Sequence, residues 1–164
     1  MRKTLIIDLA TLPEEGKEFS GELDPTVFDL PKGDAQPQGP LEYDLYVQRF
    51  EDELLFRGSI SAAFQFECVR DNQLFTQTIS IEECAIAIEI ESSTVDATEA
   101  LREEVLINFP AYPRCDEADE PHECNIDERY LAVDKPTDDG VDEAPPSEGD
   151  DPWSALDSFK HLSD

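Results

Sequence analysis

Four cysteines, at positions 68, 84, 115 and 124, and two histidines, at 122 and 161, are the side chains here best suited to hold a metal or attack a substrate. Asp71 follows Cys68 by three positions, Cys115 and Cys124 lie nine apart, and His122 sits between that pair. Thiolates, imidazoles and carboxylates are the donors zinc takes, four at a time and at about 2.0–2.3 Å. One reading is therefore a zinc set of Cys68, Cys115 and Cys124 with either Asp71 or His122 as the fourth ligand. The other is that Cys68 is the inward end of an alternating strand, the later cysteines are loop thiols, and no cofactor is bound. Cys84 falls in an apolar phase and reads as a small core residue.

Catalysis has little to build on. His122 lies in an acidic loop and His161 near the end of the chain, whereas a general base needs an orienting partner and a positioned substrate. There is no glycine-rich phosphate loop and no nucleophile elbow. The acidic run Asp116–Glu120 lacks the alternating oxygen ligands and central glycine of a calcium loop. The expectation is a protein that is not an enzyme.

Charge narrows the partners. Forty acidic residues against 12 basic ones give a formal net charge of -28. Such a field repels polyanions, and Arg2-Lys3 is the longest local basic group, so direct nucleic-acid binding is not expected. Basic proteins are the expected partners, since long-range attraction speeds their encounter. The competing explanation is that the acid only maintains solubility or reflects a saline environment. Leu5-Ile6-Ile7 is broken by Asp8 and is too short for a signal-peptide core or a membrane span. The expected compartment is the cytoplasm, where free thiols or metal ligands prevail over disulfides.

The elements that must position these side chains show in the alternation of apolar residues. Leu41, Tyr43, Leu45 and Val47 alternate with polar neighbours, and so do Leu54, Phe56, Gly58, Ile60, Ala62, Phe64, Phe66 and Cys68. Glu51-Asp52-Glu53 between them predicts a hairpin turn. A third strand region runs from Phe75 to Ile90. Its apolar phase is odd at Phe75, Ile79 and Ile81, then even at Cys84, Ile86, Ile88 and Ile90, which predicts a bulge or break near Glu82-Glu83. Thr4–Leu9 can add an edge or closing strand. Tyr43, Tyr46, Phe64 and Phe66 are expected to form a sheet surface ringed by acid. Asp96-Ala97-Thr98-Glu99 has the form of a capping box. Ala97, Leu101, Val105 and Ile107 then follow on or near one helical face, and Pro110 stops the run.

Together these predict an α+β domain over residues 1–131: an antiparallel meander sheet or small open barrel with one packed helix. Residues 132–150, rich in Pro, Gly and acid, read as a disordered linker. Residues 151–164 open with Asp151-Pro152 and place Trp153, Leu156 and Phe159 at the spacing of a short amphipathic helix, either a docking peptide or a strap onto the core.

Several motifs in order carry a family resemblance. Cys68-Val69-Arg70 ends a strand, Glu103–Pro110 closes a helix on an apolar-Pro step, and Pro113-Arg114-Cys115 follows. Asp151-Pro152-Trp153-Ser154-Ala155-Leu156 comes late, while the opening Leu9–Glu14 region and Phe19-Ser20-Gly21-Glu22-Leu23 fit the same plan. In this order the chain resembles the YceD-type proteins needed for accumulation of large-subunit ribosomal RNA. Asp71 stands where that family has the second cysteine of its first pair. Cys115 and Cys124 are not spaced as a tight Cys-x-x-Cys, and an acidic segment replaces a Cys/Gly-rich one. The resemblance implies a non-catalytic bacterial cytosolic factor supporting ribosomal RNA levels or processing, with large-subunit ribosomal proteins or assembly factors as partners. The alternative is a zinc-stabilised or metal-free acidic protein-binding module unrelated to ribosomes. Neither reading indicates an oligomeric state.

Overall fold

The computed structural model describes residues 2–127 and 129. Its strands follow one another as β1 (Ile6–Asp8), β2 (Lys17–Leu23), β3 (Gln36–Pro37), β4 (Leu41–Phe50), β5 (Glu53–Glu67), β6 (Leu74–Glu89) and β7 (Thr94–Asp96), before the helix α1 (Thr98–Ile107). Short 3-10 turns occupy Pro25–Phe28 and Cys115–Glu117. All of these fall in the compact unit of residues 1–126. The expected linker at 132–150 and the terminal helix with Trp153, Leu156 and Phe159 lie outside the described residues.

The fold is α+β, with antiparallel pairing throughout two open sheets. The main sheet runs β2-β4-β5-β6, and β3 pairs with β5 beyond the end of β4. The predicted hairpin forms between β4 and β5, where Phe50 pairs with Glu53 and Glu51 takes a left-handed φ of 54° in the turn. Along β4 every residue from Leu41 to Val47 with an odd number is buried and every even one is exposed. That alternation pins the register, since a one-residue slip would turn the whole apolar set to solvent.

The predicted phase slip in β6 is a bulge. Gly58 faces Cys84 and Ile60 faces Ile81, so one residue of β5 spans two of β6, Glu82 and Glu83. The extra residue returns the inward face from Ile79 to Cys84 and leaves both glutamates exposed. Gly58 is required at this bend. Its φ is +149°, and a Cβ there would lie 2.1 Å from the Asp44 carbonyl oxygen.

Other elements depart from expectation. The predicted N-terminal strand does not join the main sheet; β1 pairs with β7 as a separate two-stranded ribbon. Strand β2, whose alternation is interrupted by Ser20 and Gly21, is an edge of the main sheet held by seven partners on β4. Leu101 and Val105 of α1 are fully buried, four residues apart on one face, whereas Ile107 is 74% exposed. Ile107 lies about 200° round the helix from Val105, on the opposite side. The capping box does not close either. The Asp96 carboxylate accepts the Thr98 N–H, but Glu99 reaches forward to Arg102 at 2.6 Å, and the Thr98 hydroxyl accepts from the backbone of Leu5. Competition from a nearby guanidinium decides this, because a charge-assisted pair outweighs a neutral backbone donor.

The core lies between the inner face of the main sheet, α1 and the turn at Pro25–Phe28. At its centre Phe64 meets Phe28 and Phe109 edge-on, at ring separations of 4.8 and 4.7 Å. Tyr43, Phe64 and Phe66 are therefore core residues, not a surface, and of that expected aromatic face only Tyr46 is exposed. Odd positions in β4 and even positions in β5 share the inner face, so three of the four rings had to point inward.

Candidate metal centre

Strand β5 delivers Cys68 to the tip of its hairpin with β6. The Cys68 N–H donates to the Gln73 carbonyl and its own carbonyl accepts from Asn72, which adopts a left-handed φ of 58°. That tight loop turns Asp71 back towards the Cys68 thiol. Downstream of α1, Pro110 and Pro113 end helical structure, and the chain returns past the hairpin tip. Val69 N–H donates to the Pro113 carbonyl at 2.9 Å, which fixes the crossing. Cys115 opens the second 3-10 turn and is fully buried. Cys124 closes the same segment and is half-buried.

These four side chains converge. The Sγ atoms of Cys115 and Cys124 are 3.1 Å apart and those of Cys68 and Cys124 are 3.7 Å apart. Asp71 Oδ2 lies 4.0 Å from the Cys115 sulfur, and all four donor atoms fall within 4.8 Å of one another. A tetrahedral zinc with the usual bond lengths sets its sulfurs about 3.8 Å apart, and sulfur from carboxylate oxygen by about 3.5 Å. The Cys68–Cys124 separation matches that geometry and the Cys115–Cys124 pair is closer than it. The donor set suits the ion in number and softness, because thiolate-rich sites select zinc over hard cations. The four cysteines are free, and none of the sulfur separations is that of a disulfide, about 2.05 Å.

Of the two candidates for the fourth ligand, the structure brings in Asp71 and leaves out the His122 ring. His122 is exposed, and its Nδ1 lies 3.5 Å from the Glu120 carbonyl. It contributes through its backbone instead, where its carbonyl accepts from the Cys115 thiol at 3.5 Å. Asp71 is held by two backbone donors, Gln73 N–H on one oxygen and Asn125 N–H on the other, at 3.1 and 3.0 Å. Cys84 is buried in the core near Glu104; burial and then that charge push its thiol up to about 11.

The electrostatics of the four groups differ. Burial pushes the Cys68 thiol up, yet the backbone N–H groups of Arg70, Cys115 and Asp71 outweigh it and bring its pKa below the ordinary value. Burial likewise raises Asp71, but the Gln73 and Asn125 amides, the Cys68 thiol and the His122 charge lower it overall. Cys115 is pushed up to about 12, first by burial and then by the crowding of Cys124, Cys68 and the Asp71 charge. Three thiols and a carboxylate this close cannot all ionise unless positive charge sits among them. Some positive charge stands nearby: Arg70 and Arg114 both pair with Asp116, at 3.5 and 3.4 Å.

Among the described residues, open clefts lie near the site. One, of about 450 Å³, runs from Lys32 to Gln36 across Phe66 and Leu74 to Pro113. Among the described residues no helix is long and apolar enough to cross a membrane. Fold and donor set together define a class: an antiparallel-sheet domain whose hairpin tip and a returning segment share a Cys3Asp donor set. No family model, curated protein or solved structure matches the chain.

Proposed function

We propose that this chain is a non-catalytic accessory factor that holds a basic protein partner on the acidic outer face of its main sheet, with zinc closing the Cys68, Asp71, Cys115 and Cys124 set. The resemblance to YceD-type proteins gives the partner a class, large-subunit ribosomal proteins or their assembly factors. It gives the role as support of ribosomal RNA accumulation or processing in the bacterial cytosol. The observation that carries the reading is a field of carboxylates on one sheet face. Glu22 lies directly across from Glu42, Asp44 from Ser20, and Glu18 from Tyr46, all on the outward side. Like charges placed opposite one another cost about 0.2–1 kcal/mol, and a cationic surface relieves that repulsion on contact. Small residues finish the face: Ser59 pairs with Asp44, and Ser61 lies between Glu42 and Ser80. They leave room for a long Lys or Arg side chain to reach the acids.

A zinc held by four protein ligands has no position for water or substrate, which is the structural and not the catalytic arrangement. Its part is to pin the 113–125 segment against the hairpin tip. The same module serving a basic partner outside the ribosome is the second reading.

Capture from a bacterial lysate with the full chain as bait, with and without RNase, tests the proposal. Large-subunit proteins retained after RNase, and lost in a Glu22→Lys/Glu42→Lys variant, are the expected result. Enrichment that vanishes with RNase overturns the protein-mediated part. An absence of ribosomal material in both arms, with another basic protein retained, selects the second reading.

A further inference from the structure

The inference that follows rests on zinc closing the donor set. We propose that the set is also a peroxide-responsive clasp: hydrogen peroxide joins Cys115 to Cys124, expels the metal and frees the 113–125 segment from the hairpin tip.

The three sulfurs are not equivalent. Cys68 and Cys115 are fully buried, whereas Cys124 is half-buried, so an oxidant arriving from solvent meets Cys124 first. The nearest sulfur to it is Cys115 at 3.1 Å, with Cys68 further off at 3.7 Å. Cys124 thiolate attacks one peroxide oxygen, giving a sulfenic acid and hydroxide. The Cys115 sulfur then attacks the Cys124 sulfur, the S–S bond forms and the second oxygen leaves as hydroxide. The two thiolates are oxidised by two electrons, the peroxide is reduced to two waters after taking two protons, and zinc departs as the hydrated ion.

Which pair closes determines what happens to the fold. Cys115 and Cys124 belong to one segment, so their disulfide leaves the hairpin tip with a single thiol, Cys68, and a carboxylate. Those two donors hold zinc far more weakly than four. A Cys68–Cys124 bond would do the opposite, tying segment to hairpin covalently. Asp71 makes the response single-step, because only one disulfide can form from three thiols. After release, the polar ties across the junction that remain are Val69 to Pro113, Asn125 to Asp71, Arg70 to Asp116, and Asp119 to Thr76 and Thr78.

The sequence provides a sharp readout. Trypsin cuts after Arg57, Arg70, Arg114 and Arg129, so Cys68 lies in peptide 58–70 and both Cys115 and Cys124 in peptide 115–129. Tag-free full chain is assayed for zinc by elemental analysis, titrated with hydrogen peroxide beside a chromogenic chelator, alkylated and digested without reduction. The expected result is about one zinc released per peroxide consumed, peptide 115–129 lighter by two hydrogens, and Cys68 alkylated. A Cys84→Ala variant behaves identically. Cross-linked 58–70 and 115–129 peptides, or zinc retained through a tenfold excess of peroxide, overturn the clasp and leave the zinc reading standing. A chain that carries no zinc after expression in zinc-supplemented medium, and shows no thiolate absorption with cobalt(II), overturns both.

Discussion

Phe64 and Cys115 are equally withdrawn from solvent, but by different means. Phe64 sits mid-strand on β5, paired on one side with β6, and its ring is wedged between Phe28 and Phe109. Removing any one of these neighbours leaves the rest of the ladder in place. Cys115 lies on a segment with a single three-residue 3-10 turn, whose only other buried apolar side chain is Ala118, at 8% exposure. A handful of hydrogen bonds and three sulfurs hold that segment down. The sheet is stabilised by area and by a long register, the returning segment by point contacts. The first resists local damage, while the second can be released by a chemical event at one place.

Substitutions in the two regions should therefore fail in different ways. The largest effect is expected from Phe64→Ala, which empties a fully buried aromatic site and should cost about 3–5 kcal/mol of global stability in denaturant melts. Next comes Gly58→Ala at the bulge. Its Cβ meets the Asp44 carbonyl in a backbone conformation L-residues rarely adopt, and the expected loss is about 2–4 kcal/mol. Hydrogen exchange in both variants should rise across the whole sheet. A rise confined to residues 68–73 and 113–125 would mean that the sheet does not depend on these two positions.

Metal removal should show the reverse pattern. A chelator is expected to raise exchange at 68–73 and 113–125 while β4 and the middle of β5 stay protected. The stripped chain should also acquire an alkaline weakness. The folded Cys115 thiol, pushed up to about 12, holds its proton well past the 9.0 at which an unfolded cysteine loses it. Between those values the folded state carries the extra proton, so stability falls as pH rises from 9 towards 12. Asp71 acts with the opposite sign: its lowered pKa gives stability present above 3.8 that is lost as pH falls through the folded value. Thermal melts from pH 3 to 11, with and without zinc, check both limbs. The smallest effect, about 1 kcal/mol, is expected for Asp119→Ala, which removes two hydrogen bonds to Thr78.

The same contrast explains what was legible beforehand. Strands β4 and β5, the turn between them and the bulge opposite Ser59 all follow from side-chain alternation, because a half-buried sheet imposes a period of two on its sequence. Strand β2 escaped notice because an edge strand with Ser20 and Gly21 at its centre carries little of that period. The glutamate of the capping motif went to Arg102, a choice set by a side chain three residues ahead. At the cysteine cluster the sequence offered the right residue types, and Asp71 or His122 equally. The choice between them depends on a left-handed turn at Asn72 and on Asn125 amide geometry, neither of which any spacing rule conveys.

Asp119 matters beyond the two side-chain hydrogen bonds it accepts from Thr78. Its amide donates to the Thr76 carbonyl and its carboxylate accepts from the Thr78 amide and hydroxyl, so one residue occupies the outer rim of β6 like the stub of another strand. Bare strand rims recruit other chains and seed aggregates. A chain whose 113–125 segment has lifted away exposes that rim beside Leu74 and Phe75. The Asp119 ties outlast the clasp, but where the segment lifts past them the freed rim of β6 is an edge to which another chain can pair.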